Sequence, residues 1–404
     1  MNNPIYLDNQ ATTPVDPAVL KAMLPYLKNK FGNAASIHHV YGQEGKEAVE
    51  NSRNLLAKSI KGYSRDIIFT SGATESLNLA IKGVCRKYKK NGQHIITQQT
   101  EHKAVLDTCR TMEKAGWEVT YLPVDSDGVV SPQSVIDAIK KETVLVSIMH
   151  ANNEIGTIQP ITEIGAICRE KKVFFMVDAC QSFGKLDIDV NDMNIDLLAA
   201  TAHKIYGPKG IGFLYVRQKA PKVVLEMQMD GGGHERGQRS GTLAVHQIVG
   251  FSKAAELSIG SKDEENHRLG FFRDKMFQKI KSSHPDVILN GSIKLRLPNN
   301  LNLCFPGLEA ESMIMKMKNV ACSTGSACSS ANLEPSHVLK ALGRDSELAH
   351  SAIRFSLGRY NTENEIDFAI KEIVNTVSSV SYTHLRAHET EADLECRLLL
   401  EKKK

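Results

Sequence analysis

The chain has 404 residues, of which 42% are hydrophobic and 24% charged, and its formal net charge is +4. That length exceeds one ordinary core and suits a large domain plus a smaller one, and the composition is that of a globular protein. So small a charge excludes a dedicated nucleic-acid binder with a basic face, though not a local basic patch, and no apolar run is long enough to span a bilayer.

In chain order, the N-terminus MNNPIYLDNQATTPVDP carries neither a basic-then-apolar signal nor an Arg-rich amphipathic stretch, so the cytoplasm is the expected location. Residues Gln43 to Lys61 have helical spacing. Asp66 to Thr70 (DIIFT) reads as a strand running into Ser71-Gly72-Ala73-Thr74, and Thr74 to Lys87 as a helix. His94 to Thr97, Glu118 to Leu122 and Val144 to Met149 read as buried strands, and Val173 to Val177 as another that ends at Asp178. Ile195 to Ala200 leads into His203-Lys204, and Gly212 to Val216 follows. This alternation predicts an α/β fold with a mostly parallel sheet covered by helices. From about Ser261 the texture changes to a charged helix (Lys262 to Lys281), then a Pro/Gly-punctuated segment, then the small-residue stretch Ala321 to Ser330. The expected boundary is therefore near residue 260, with a large domain over 1–260 and a smaller one over 261–380. Eight cysteines are scattered without a CxxC pair, which points to neither a zinc site nor a thioredoxin-like motif. Most should be free thiols, buried as small apolar residues.

Five groups of residues carry candidate chemistry. Asp178 closes an apolar strand, at the sheet edge where open α/β folds place ligands; a helix cap is the plainer role for such an Asp. Lys204 follows an apolar run and precedes a Gly/Pro turn. A lysine held at the base of a cleft can be neutral enough to form a Schiff base, whereas a lone lysine is ordinarily a surface charge. An acid paired with the ring nitrogen of pyridoxal phosphate (PLP) strengthens that cofactor as an electron sink, so this lysine and acid fit PLP. Thr70 to Glu75, at a strand-to-helix turn, can cup a phosphate on backbone N–H groups or simply cap the helix; Thr201 and His203 could add donors. His102, in Glu101-His102-Lys103, can stack on an aromatic ring and move protons, or serve structure alone. Cys328 lies in a stretch without apolar periodicity, as expected of a functional loop or of an incidental thiol in a linker. Arg354, between apolar neighbours on an expected strand, needs either a substrate carboxylate or a buried acid as partner.

Taken together, YLDNQATTPVDP, SGATES, TEHKAVLDT, NNEIGTIQP, DACQSFGK, HKIYGPKGIG, GGGHERGQRSGT, STGSACSSANLEPSHVLKALG and SAIRFSLGRYNTENEID, running from residue 6 to about 367, closely resemble the cysteine desulfurases of the class V aminotransferase family, in particular their housekeeping iron–sulfur type. The resemblance implies the PLP-dependent transferase fold of type I, with a mixed, mostly parallel sheet in the large domain, a smaller α+β C-terminal domain, and the first ~15 residues packing with the latter. It matches Lys204 to the PLP lysine, Asp178 to the acid on the pyridine nitrogen, Gln181 to the donor to the ring hydroxyl and His102 to the stacked histidine. Ala73, Thr74, Thr201 and His203 match phosphate ligands, Thr201 replacing the commoner Ser. Thr242 matches a phosphate ligand supplied by the second subunit of a homodimer. Asn153 and Arg354 match the groups holding the carboxylate of L-cysteine. Cys328 matches the nucleophile that becomes a persulfide, and the length of its stretch matches the group serving distant acceptors. The implied partners are an iron–sulfur scaffold protein and other sulfur acceptors, such as those of tRNA thiolation, with neither direct nucleic-acid contact nor membrane contact. Cys328 is also the candidate transient ligand of a [2Fe–2S] cluster shared with the scaffold.

From Ser381 the chain leaves the pattern, and SYTHLRAHET onward reads as a non-native appendage in place of a scaffold-docking segment. Three other functions compete: a selenocysteine lyase, a true aminotransferase, and a catalytically silent scaffold or sulfur-relay protein. A transaminase needs no thiol nucleophile, and a silent scaffold needs none of Lys204, Asp178, His102 and Cys328.

Overall fold

The computed structural model describes residues 3–324 and 334–379; Cys328 and the tail from Ser381 lie outside them. Strands form where short apolar runs can be buried: β1 (Ile5–Tyr6), β2 (Ile67–Thr70), β3 (His94–Gln98), β4 (Glu118–Leu122), β5 (Thr143–Ser147), β6 (Phe174–Asp178), β7 (Leu197–Thr201), β8 (Gly212–Val216), β9 (Ile288–Leu289), β10 (Asn300–Cys304), β11 (Val320–Ala321) and β12 (Ala352–Ser356). One seven-stranded sheet has the order β2-β8-β7-β6-β5-β3-β4. Its pairs are parallel except for the two that β8 makes with β2 and β7. The carboxyl ends of β2, β3, β5, β6 and β7 therefore meet at one edge, together with the start of β8.

The helices are α1 (Pro17–Lys28), α2 (Val40–Lys58), α3 (Ala73–Lys87), α4 (Lys103–Lys114), α5 (Pro132–Ala138), α6 (Ile161–Lys171), α7 (Val245–Gly260) and α8 (Lys262–Ser283). Local chemistry starts several of them. Asp16 Oδ1 accepts from Ala18 N at 2.8 Å with Pro17 at the first position of α1, and Asp263, Glu264 and Glu265 oppose the dipole of α8 in its first turn. On one face of the sheet, Phe69, Val146, Phe175, Val177 and Phe213 join Leu56, Ile164 and Phe251 from the helices. On the other, Ile68, Ile95, Leu145, Met176 and Leu214 pack with Leu77, Val84 and Val105. Phe183, Phe213 and Phe251 are mutually packed at 5.3–5.9 Å between ring centroids; losing one such ring to alanine costs about 3–5 kcal/mol.

Beyond residue 260 a separate core forms. Leu269, Phe272, Met276 and Ile280 of α8 cover Leu301, Leu303, Ile353 and Phe355 on a sheet of order β12-β10-β9. Short helices at Ala310–Lys316, His337–Ala341 and Ser346–His350 and a helical run over 363–379 complete this part. The N-terminus crosses over to it: β1 pairs in parallel with β11, Asp8 bridges Ser356, and Leu7 enters the second core.

Two sequence-level expectations shift. Glu118–Leu122 is a strand but not a buried one, since β4 ends the sheet and only Leu122 is fully buried. Asp66 belongs to the turn before β2, where Oδ2 accepts from Tyr63 N at 3.3 Å. Four long helices with mixed polar and apolar faces, α1, α4, α6 and α7, were not visible as elements in the apolar runs alone.

Candidate active site

A cavity of about 600 Å³ opens at the common strand edge, within the range of small-ligand sites. Among the sequence-selected residues it is lined by Ala73, Thr74, His102, Asn153, Asp178, Gln181, Thr201, His203, Lys204 and Arg354. Thr242 is exposed and does not line it, and Cys328 lies outside the described residues.

Lys204 ends a short turn after β7. Its Nζ donates to the carbonyls of Gln10 at 2.5 Å and Ala11 at 2.7 Å. The turn itself is pinned by Thr13, whose N and Oγ1 both donate to His203 O at 3.0 Å. Asp178, last in β6 and 5% exposed, accepts the N–H of Cys180 at 2.9 Å. It thus fills the plain turn role and faces the cavity as well. Gln181 Nε2 donates to Gln10 O at 3.0 Å, while its Oε1 is buried without a protein partner. As placed, Gln181 offers the cavity an acceptor; turning its amide over would offer a donor.

The start of α3 is built for an anion. Gly72 caps it with no side-chain hydrogen bond, so early N–H groups are left to the cavity. Gly72 has φ +148 and open space where a Cβ would stand, whereas a Cβ on Gly212 would meet Gly72 Cα at 2.8 Å. Both positions need glycine, the first for its backbone angle and the second because the loop folds directly over β8. Glu75 holds the loop by accepting from Ser71 N at 2.6 Å and from Arg239 at 2.7 and 3.1 Å. Burial pushes the Glu75 carboxyl up, but the Arg239 and Ser71 hydrogen bonds outweigh it and leave it below the usual range. Thr201 Oγ1 donates to Ile211 O at 3.1 Å. His203 lies 3.2 Å from Thr12 Oγ1; burial, then the charges of Lys204, Lys209 and Lys185, push its pKa down to about 4, so it is neutral near pH 7.

His102 caps α4, its Nδ1 accepting from Ala104 N at 3.1 Å, which puts the ring proton of the neutral form on Nε2. Arg354, on β12 and 3% exposed, reaches Asn153 O at 2.7 Å, Asp8 Oδ1 at 2.6 Å and Ser323 Oγ at 3.0 Å. An acid partner is therefore present, and the guanidinium also borders the cavity. The six cysteines among the described residues are free, and all but Cys322 are buried. Burial pushes the Cys322 thiol up to about 12 and Cys180 well above the usual thiol range, so neither is a ready thiolate. Among the described residues there is no cluster of His, Cys, Asp and Glu able to hold a metal ion, and no helix is long and apolar enough to cross a membrane.

Sequence reasoning missed the cradle of Lys204. Backbone carbonyls of Gln10 and Ala11 leave no residue-type signal, although the YLDNQATTPVDP stretch that supplies them was legible as a motif. The Glu75–Arg239 clamp was also missed, because its partners are 164 positions apart.

The lining residues fit PLP: an amine cradled by two backbone carbonyls, a buried carboxylate, an aromatic ring, an acceptor without a partner and an uncapped helix start. Known proteins agree. Residues 5–368 match the family model described as aminotransferase class-V. The chain is 53% identical to the cysteine desulfurase IscS of Pseudomonas aeruginosa (strain UCBPP-PA14) and 52% identical to that of Shewanella woodyi, in each case across 94% of both chains. Among solved structures it is similar to a NifS-like protein (TM-score 0.87, 36% identity, 93% of this chain and 99% of that one). It is also similar to SspA in complex with cysteine (TM-score 0.78, 38% identity, 89% and 100%).

Proposed function

The chain belongs to the class-V aminotransferases and, within them, to the PLP-dependent cysteine desulfurases, and from that premise we propose how its residues divide the work. PLP, when bound, supplies an electron sink conjugated to the substrate amine, which labilises bonds at the α-carbon. Lys204 holds the cofactor. Asp178 would keep the ring nitrogen protonated, Gln181 would meet the ring hydroxyl, and His102 would pack against the ring. Ala73 and Thr74 at the α3 start, with Thr201 and His203, bind the phosphate, His203 as a neutral donor. Asn153 and Arg354 hold the carboxylate of L-cysteine. Lys204 Nζ would also be the base that moves the α-carbon proton.

The nucleophile is Cys328. Its thiolate attacks the substrate sulfur, the carbon–sulfur bond breaks with its electron pair left on the carbon side, and protonation there gives alanine. The sulfur stays on Cys328 as a persulfide and passes to an acceptor thiol. The readings of two domains meeting near residue 260, a cytoplasmic homodimer, and delivery to an iron–sulfur scaffold and tRNA-thiolating acceptors belong to the same proposal. In support of the dimer, Leu20, Leu24, Leu27 and Phe31 lie exposed in and just after α1, and Thr242 stands away from its own cavity, available to that of a second copy. A [2Fe–2S] cluster meeting Cys328 is cargo of that delivery.

The observation that carries the reading is the convergence of Lys204, Asp178, Gln181, His102 and the α3 start on one cavity. The test is to mix the yellow purified protein with L-cysteine and a thiol reductant. Alanine and sulfide in equal amounts are expected; a keto acid in place of alanine would make it a transaminase.

A further inference from the structure

A second amine stands behind Lys204. The stem of Lys185 is half-buried, yet its Nζ is fully buried and has no protein hydrogen-bond partner. It lines a cavity of about 20 Å³ together with Lys204, Tyr206, Ser258, Glu265 and Asn299. That space is large enough for one water. Asn299 Oδ1 is likewise buried without a protein partner, so one water can serve both atoms.

The groups facing Lys185 give its Nζ no hydrogen bond. On α8, Glu265 Oε1 is occupied by Arg359 Nε at 2.6 Å and Ser261 Oγ at 2.7 Å, and Lys262 pairs with Asp187. Tyr206 is held as a neutral phenol, pushed up to about 12 by burial. From the preceding turn, Cys180 is held as a thiol by burial and by Asp178. Glu265 pulls the Lys185 amine up in part, while Lys204, a like charge, pushes it down. A buried ammonium with no hydrogen-bonded acid and a cation for a neighbour loses its proton readily. Burial first, and Lys204 second, bring Lys185 down to about 7.

We propose that Lys185 is a positioning residue that sets the proton affinity of Lys204, the two amines competing for one proton across the small cavity that both line. Lys185 touches neither substrate nor cofactor. It acts through Lys204, which it helps to present as the free base that the α-carbon proton requires. The inference rests on Lys204 being the cofactor lysine.

The test compares the wild type with Lys185→Met and Lys185→Arg, titrating the visible absorbance of the cofactor-loaded protein against pH alongside the acid limb of kcat/KM for L-cysteine. Methionine removes the competing site, and both midpoints should rise by about one pH unit. Arginine fixes the charge, and both should fall. Equal midpoints in the three proteins, or shifts in one direction for both variants, overturn the proposal. Should the methionine variant fail to fold, Lys185→Gln keeps the polar contact to the water and should give the same upward shift. A visible band that survives Lys204→Ala defeats the cofactor assignment itself, a result separable from any shift caused by Lys185.

Discussion

Arg354→Lys probes the substrate end of the site. Among the described residues the guanidinium donates to Asn153 O, Asp8 Oδ1 and Ser323 Oγ at 2.6–3.0 Å, and these contacts fix its plane at the cavity wall. A planar guanidinium so held keeps its donors in a fixed direction toward a carboxylate, while lysine at the same place offers a freely turning point charge. One charge-assisted hydrogen bond is worth about 1.5–3 kcal/mol, so KM for L-cysteine should rise about 10- to 150-fold with a smaller change in kcat. The variant also loses its geometry toward Asp8. Asp8→Asn therefore serves as the control, removing the ion pair while keeping the fork. Thermal midpoints of both variants should fall together, whereas the large KM change should belong to Arg354→Lys alone. Steady-state kinetics across a cysteine concentration series measure this. An unchanged KM in Arg354→Lys, in protein that keeps its visible absorbance, would refute the carboxylate assignment.

Three other outcomes follow from the geometry. Lys204→Ala should purify without the absorbance of a lysine-bound cofactor, as read by visible spectroscopy. Arg53→Met leaves Glu235, a 2%-exposed carboxylate that also accepts Phe69 N at 2.7 Å, without its cation; it should cost about 3–5 kcal/mol in denaturant unfolding, much of it regained in Arg53→Met/Glu235→Leu. His150 is pushed down to about 4 by burial, so below about pH 6.5 the unfolded chain takes up a proton that the folded chain refuses until near pH 4. Stability is therefore full above that window and declines through it as pH falls. In His150→Gln the thermal midpoint should decline less steeply over the same range, His203 and His94, both also lowered by burial, contributing to the remainder.

What the sequence disclosed follows from where the information sits. The strand cores were readable because β3, β5, β6 and β7 are covered on both faces and read as continuous apolar runs, and the strand ends then located Asp178, Thr201 and Lys204. The edge strand β4 and the two-faced helices α1, α4, α6 and α7 carry mixed patterns, and tertiary packing decides them. Arg354 shows the limit for side chains. Its place on a buried strand was legible, but its partner Asp8 comes from the other end of the chain, brought there by the β1–β11 pairing. Lys185 is plainer still: nothing in DACQSFGK singles it out, and only the fold shows its amine turned inward.

The central claim is that sulfur leaves cysteine by way of Cys328. The direct measurement is a single turnover without reductant, followed by mass analysis of the peptide containing Cys328. A gain of one sulfur atom on Cys328, matched by one alanine per site and absent from Cys328→Ala, is the expected result. Alanine formed at an undiminished rate by Cys328→Ala, or an added sulfur found on another cysteine, would contradict it.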